Sequence, residues 1–160
     1  MISRSLSDEF LSFFQRYLAF YEDFLQLETQ KFNEIIANRL DNLDQMVKNE
    51  EAFMLKSRGL ELERDKLMAK TESPKATFKE LIALLDESAQ EEAQLLYNRL
   101  SQVLNNLKHI NSRCNYLTKL KLHRIEVNLE KIKSQPELQK LYNAQAVEHA
   151  ASSRILSKKV

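Results

Sequence analysis

The stretch Leu6-Ser7-Asp8-Glu9-Phe10-Leu11-Ser12-Phe13-Phe14-Gln15-Arg16-Tyr17-Leu18-Ala19-Phe20-Tyr21-Glu22-Asp23-Phe24-Leu25-Gln26-Leu27 decides the fold. Leu6, Phe10, Phe13, Tyr17, Phe20, Phe24 and Leu27 recur at steps of four and three, the spacing of one helix face. A second ridge, Leu11, Phe14, Leu18, Tyr21 and Leu25, lies one residue over. Two adjacent ridges make an apolar face wider than a two-stranded seam requires, so this helix should touch more than one neighbour. Eight of the thirteen aromatic residues fall between positions 10 and 32. They could form a docking groove, but helical spacing favours an aromatic bundle core.

Composition agrees with a long-helix protein. The chain has 160 residues with one Gly, two Pro, one Cys and no Trp, and 29% of its residues are charged. Hairpins and phosphate-binding loops need several glycines, so a hairpin-rich sheet protein and a dinucleotide or P-loop fold are excluded. The net charge of +1 supplies no global field toward nucleic acid. A single Cys allows no internal disulfide and fits a reducing compartment. No signal-peptide core follows Met1, and no run approaches the roughly 20 apolar residues of a membrane span. A cytoplasmic location is expected.

Outward from the aromatic stretch, the first helix is expected at about 6–37, capped by Ser5 or Ser7, with Asp8 and Glu9 in its first turn. Ala37-Asn38-Arg39 breaks the pattern, and Asn tolerates the left-handed conformation that ends helices. A second helix follows at about 40–70 with a narrow stripe of Leu43, Met46/Val47, Phe53/Met54, Leu60 and Leu67/Met68. The lone Gly59 marks a kink or a close helix crossing. Thr71 to Ala76 with Pro74 is the clearest linker. Thr77-Phe78-Lys79-Glu80 reads as a capping box opening a third helix over about 77–134, stopped at Gln135-Pro136. In it Leu96, Leu100, Val103, Leu107, Ile110, Cys114 and Leu117 keep the four-three step, and Leu122, Ile125, Leu129 and Ile132 resume it one position late.

The expected fold is therefore all-α: an antiparallel bundle or coiled-coil hairpin of long helices with a C-terminal tail. Residues 1–134 would form the helical domain. Residues 135–160 would form a mobile arm or carry a short helix over Glu137–Ala151. If residues 6–70 were one helix, a simple hairpin would result. The broad aromatic face instead favours a turn at Asn38 and three packed helices.

Few residues carry chemistry. His109, His123 and His149 make no metal-ligand spacing, so neither a metal nor a cofactor is expected. Cys114 lies on the apolar seam and reads as a buried small hydrophobe. Glu87, Glu91 and Glu92 lack the Glu-x-x-His pairs of a di-iron bundle. No catalytic set emerges. Between Ala93 and Ile125 there is no acid, while Arg99, Lys108, Arg113, Lys119, Lys121 and Arg124 are present. That stripe is either a solvated face or a surface for an acidic partner helix. Nucleic acid is disfavoured because only Tyr97 and Tyr116 interleave the basic residues.

The order of these features resembles the FlgN family of flagellar export chaperones. Lys48-Asn49-Glu50-Glu51 and Leu62-Glu63-Arg64-Asp65-Lys66-Leu67-Met68 resemble the family's Lys/Glu-rich stretch ending in Leu-Glu-x-x-Arg-x-x-Leu. Thr77-Phe78-Lys79-Glu80-Leu81-Ile82-Ala83-Leu84-Leu85 looks like the start of its long last helix. Leu107 to Leu117 is similar to the family's Leu-x-x-Leu-Asn-x-x-Asn-Gly motif: Asn111 matches the first Asn and Tyr116 the following aromatic. Cys114 stands for the second Asn, and Asn115 for the Gly. Leu141-Tyr142-Asn143-Ala144-Gln145-Ala146 resembles a tail segment in which Gly is usual at the place of Ala146.

The resemblance implies a non-enzymatic chaperone that holds FlgK/FlgL-like hook-associated proteins by their C-terminal amphipathic helix and delivers them to the export apparatus. The implied client-binding residues are Asn111, Cys114, Asn115, Leu117, Leu122, Ile125 and Leu129, with Tyr142 docking at the export gate. A structural coiled-coil protein that self-associates or scaffolds a complex is the alternative, and the oligomeric state stays open.

Overall fold

The computed structural model describes the backbone of residues 2–157 and the side chains of residues 2–148. Five helices follow in order: α1 Arg4–Ile36, α2 Leu43–Met68, α3 Phe78–Leu84, α4 Glu87–Ser134 and α5 Pro136–Ser157. There is no strand among the described residues. The chain divides into two compact units, Met1–Asn115 and Tyr116–Val160.

In the first unit, residues 6–70 form two helices, and the turn falls at Asn38. Asn38 takes φ 55°, the left-handed conformation. Asn38 N–H bonds to the Ile35 carbonyl at 3.3 Å and Arg39 N–H to the Glu34 carbonyl at 3.0 Å. These paired bonds satisfy the last carbonyls of α1 and turn the chain back.

The start of α1 differs from expectation. Ser3 is the N-cap, its side chain accepting from the Leu6 N–H at 3.4 Å. Neither Ser5 nor Ser7 takes that role. With the helix beginning at Arg4, Asp8 and Glu9 lie beyond the first turn, which holds no acid.

The expected third helix over 77–134 is also corrected: it is two helices with a break at Leu85-Asp86. The capping box at Thr77–Glu80 is present and opens α3, with Thr77 N–H bonding Glu80 Oε2 at 2.7 Å. After seven residues Leu85 turns extended, with ψ 159°. Asp86 then caps α4, accepting from the Ser88 N–H at 3.1 Å. Two bonds from the N-terminal region fix the break: Ser7 Oγ accepts from the Asp86 N–H at 3.0 Å, and the Ile2 N–H bonds the Leu84 carbonyl at 2.7 Å. The fully buried Ser7 therefore satisfies a part-buried backbone donor that a continuous helix would have satisfied internally.

The core explains why the break is kept. Leu81, Ile82 and Leu85 of the α3 segment join Phe10, Phe13, Phe14 and Phe20 of α1 and Leu60, Leu67 and Met68 of α2 in one cluster. Ala89 and Ala93 of α4 are buried in the same cluster, and their small side chains leave space for the α1 rings. The break lets the Leu85 segment and α4 both bury their faces. Phe14 stacks on Phe78 with ring centroids 3.7 Å apart, and Phe24 stacks on Phe53 at 5.2 Å. The aromatic stretch is core, and its wide face meets α2, the α3 segment and α4 in one cluster. Further along, Leu27, Phe32 and Ile35 of α1 are buried, as are Leu100, Val103, Leu107 and Cys114 of α4. Arg99–Glu22 at 2.9 Å and Lys70–Glu9 at 2.5 Å tie the helices at the surface, where such pairs add little.

The second unit comprises the α4 residues from Tyr116 and α5. Pro136 stands at the first position of α5, where its missing N–H costs nothing and its fixed φ suits a helix. Gln139 N–H bonds the Gln135 carbonyl at 3.1 Å. The tail therefore carries a helix of 22 residues, longer than the segment read from the sequence. Lys158, Lys159 and Val160 lie outside the described residues.

Candidate functional site

In the second unit no side chain from Tyr116 to Glu148 is fully buried. Along α4, Leu122 and Ile125 are each 55% exposed, and Leu117, Leu129 and Ile132 are half-buried. Positions 117, 125, 129 and 132 fall on one side of the helix by the three-four rule, with Leu122 at its border. Lys121 falls within this row, between Leu117 and Ile125, and is half-buried, while Lys119, Arg124, Lys131 and Lys133 border it, against Glu126 and Glu130. On α5, Leu138, Leu141 and Tyr142 occupy an i, i+3, i+4 set, and Tyr142 is 48% exposed. Such an open apolar ridge with a cationic border can take the apolar face of an amphipathic helix. It has the chemistry of a docking surface.

The other implied residues belong to the first unit. Cys114 is inside, and burial pushes its thiol up, as befits a small core hydrophobe. Asn111 is half-buried and lines a surface hollow with Phe24, Val47, Met54 and Leu55. Asn115 is exposed. Part of the basic stripe is already engaged: Arg99 pairs with Glu22, and the Arg113 guanidinium sits 4.5 Å over the Phe32 ring, a cation–π contact.

A polar cluster inside the first unit escaped the sequence reading. Glu28 is 0% exposed, a carboxyl shut inside the bundle with no water-facing side. Lys31 Nζ stands 2.8 Å from Glu28 Oε2 and also pairs with Glu50 of α2. Burial first, then a hydrogen bond to Glu50, pushes the Glu28 carboxyl up to about 7 against the pull of Lys31. Glu50 lies below the usual carboxylate range: burial works the other way, but hydrogen bonds from Glu28 and Lys31 outweigh it. Two acids and one base thus share a confined site, and a proton on Glu28 balances them. A signal was present. Leu18, Tyr21 and Leu25 continue at the four-three step to Glu28, Phe32 and Ile35, so an acid stands on a core ridge.

A cleft of about 540 Å³ opens beside Phe14, Tyr17, Phe78 and Tyr97. Burial and a hydrogen bond to Glu61 push the Tyr17 phenol up, so the hydroxyl is a donor held in place. Among the described residues no three His, Cys, Asp or Glu side chains stand together to hold a metal. No helix there is long and apolar enough to cross a membrane.

The described residues form an all-helical protein with an open apolar ridge on α4. Residues 1–149 match the model of the FlgN protein family, and the chain belongs to that family. It is a flagellar export chaperone, and its partners are flagellar export substrates. Comparison with curated proteins and with solved structures gave no match.

Proposed function

We propose that this chaperone holds FlgK/FlgL-like hook-associated proteins by their C-terminal amphipathic helix, laid on the ridge of Leu117, Leu122, Ile125 and Leu129. The observation that carries the reading is the exposure of Leu122 and Ile125 in a unit with no buried side chain among its described ones. A ridge open to water is the state of a binding surface awaiting its partner. The basic residues around it suit an acidic border on the client. Ordering the client segment costs free energy, which keeps the affinity moderate and the client releasable. The chaperone works in the cytoplasm and presents its load to the export apparatus, with Tyr142 of α5 docking at the gate. Residues 1–134 supply the helical body and 135–160 the docking arm.

Calorimetric titration with the C-terminal segment of a hook-associated protein from the same organism tests this. A saturable one-to-one complex with negative ΔCp and added helical circular dichroism supports it. No heat from a folded sample overturns it.

A further inference from the structure

α2 is apolar on two sides. Phe53, Leu60, Leu67 and Met68 face the core, whereas Val47, Met54, Leu55 and Leu62 are between 47% and 70% exposed. Single exposed apolar residues are ordinary. These four are not scattered: positions 47, 51, 54, 55, 58 and 62 follow one stripe of the helix. The remaining two members of the stripe are Glu51 and Arg58, both exposed. None of the ion pairs among the described residues uses either of them. A hollow of about 740 Å³ runs beside the stripe.

The stripe has a symmetry that a surface for an arbitrary partner would not need. About the midpoint between Met54 and Leu55, Val47 is the mirror of Leu62, Met54 of Leu55, and Glu51 of Arg58. An interface between two identical copies around a two-fold axis must be self-complementary in this sense.

We infer that the outer face of α2 binds a second copy of the chain, the two α2 helices pairing antiparallel about a two-fold axis between Met54 and Leu55. Val47 then meets the second copy at Leu62, the two central residues meet each other, and Glu51 lies against Arg58 twice. A parallel pairing would set Glu51 against Glu51 and Arg58 against Arg58, which is repulsive. Glu50 and Glu61, the acids bordering the stripe, are already engaged by Lys31 and Arg64, so they do not oppose the pairing as free charges. Asp44 and Asp65 would meet beyond the ends and confine the seam to residues 47–62.

Gly59 fits this placement. It stands one turn from Leu55 on the border of the stripe, and nothing lies within 4 Å of where its Cβ would be. The fold of one copy therefore does not require glycine there, and a bare backbone leaves room for the second helix. The seam is about 24 Å long at 1.5 Å per residue. At a helix width of about 10 Å the seam covers roughly 240 Å² per partner, short of the roughly 800 Å² of a standard interface, so the dimer is reversible and dependent on concentration.

Sedimentation velocity of the full chain from about 1 µM to about 1 mM covers the range in which such a contact forms. The expected result is a reversible monomer–dimer equilibrium. Glu51→Arg alone and Arg58→Glu alone should each weaken it about tenfold or more, because like charges then face each other. The double variant E51R/R58E should return to near the original constant, as coupled neighbours do. Leu55→Glu should abolish the dimer. All these side chains are exposed, and unchanged helical circular dichroism verifies the fold of each variant. A chain that stays monomeric throughout overturns the inference, as does a dimer indifferent to Leu55→Glu. A double swap that fails to restore pairing overturns the antiparallel register. If Leu55→Glu instead weakens binding of a hook-associated segment to a monomeric chaperone, the face belongs to the client and the pairing is overturned.

Discussion

Replacing Glu28 by Gln tests the electrostatics of the bundle interior. The Glu28 carboxyl titrates at about 7 in the folded protein, against 4.5 ordinarily. The folded state therefore holds more protons than the unfolded chain between those values. By linkage, stability falls as pH rises through that window and levels off above it. Two and a half pH units at 1.36 kcal/mol each amount to about 3 kcal/mol. The figure is an upper bound on the order of magnitude, because Lys31 and Glu50 titrate in the same field. Gln is nearly isosteric, cannot ionise, and its amide can donate to Glu50 as the neutral acid does. E28Q should therefore match the parent at pH 5 and exceed it at pH 8 by about 2–3 kcal/mol. Urea unfolding at pH 5, 6, 7 and 8, followed by tyrosine near-ultraviolet circular dichroism, measures both. A parent protein whose stability does not fall between pH 5 and 7, or an E28Q profile with the parent's slope, would refute the reasoning.

Three further substitutions test single features. Gly59→Ala meets open space inside a helix and should add about 1 kcal/mol of stability to the monomer, measured by urea unfolding at low protein concentration. Ser7→Ala removes the acceptor of the part-buried Asp86 N–H and should cost about 1 kcal/mol, with earlier amide exchange at Asp86 as the local reporter. Thr77→Ala removes one half of the capping box and should cost about 1 kcal/mol. Thermal unfolding followed by helical circular dichroism measures that loss.

Much of the fold was legible because long amphipathic helices write their period into the chain. The ridges of residues 6–27 announced a helix with two neighbours, and Asn38 and the Thr77–Glu80 box marked turns by local chemistry. The break at Leu85-Asp86 was not legible. Its apolar residues stay in helical phase across it, and the bonds that hold it come from Ser7 and Ile2, about eighty residues away. Ser7 looked like a cap for its own helix and caps a distant donor instead. The α1 cap falls at Ser3, one of three serines at positions 3, 5 and 7 that local sequence does not tell apart. Of the candidate site, the apolar and basic character of 117–133 could be read directly. Glu28 was overlooked because a single acid among aromatics resembles a surface residue until its phase is counted. The apolar outer face of α2 was merged with the inner one into a single stripe, because adjacent pairs such as Phe53/Met54 satisfy the same period while pointing apart.

A client that rides on the ridge of α4 beyond Tyr116 must be released when that ridge is made acidic. The protein and its L122D/I125D variant are titrated calorimetrically with the same C-terminal hook-associated segment, after circular dichroism has verified equal helicity. Both side chains are more than half exposed, so the variant should fold as the parent does. Affinity should drop by at least about a hundredfold, the loss of two apolar contacts at 1.4 kcal/mol or more each. An unchanged affinity in a folded variant would contradict it and place the client elsewhere on the molecule.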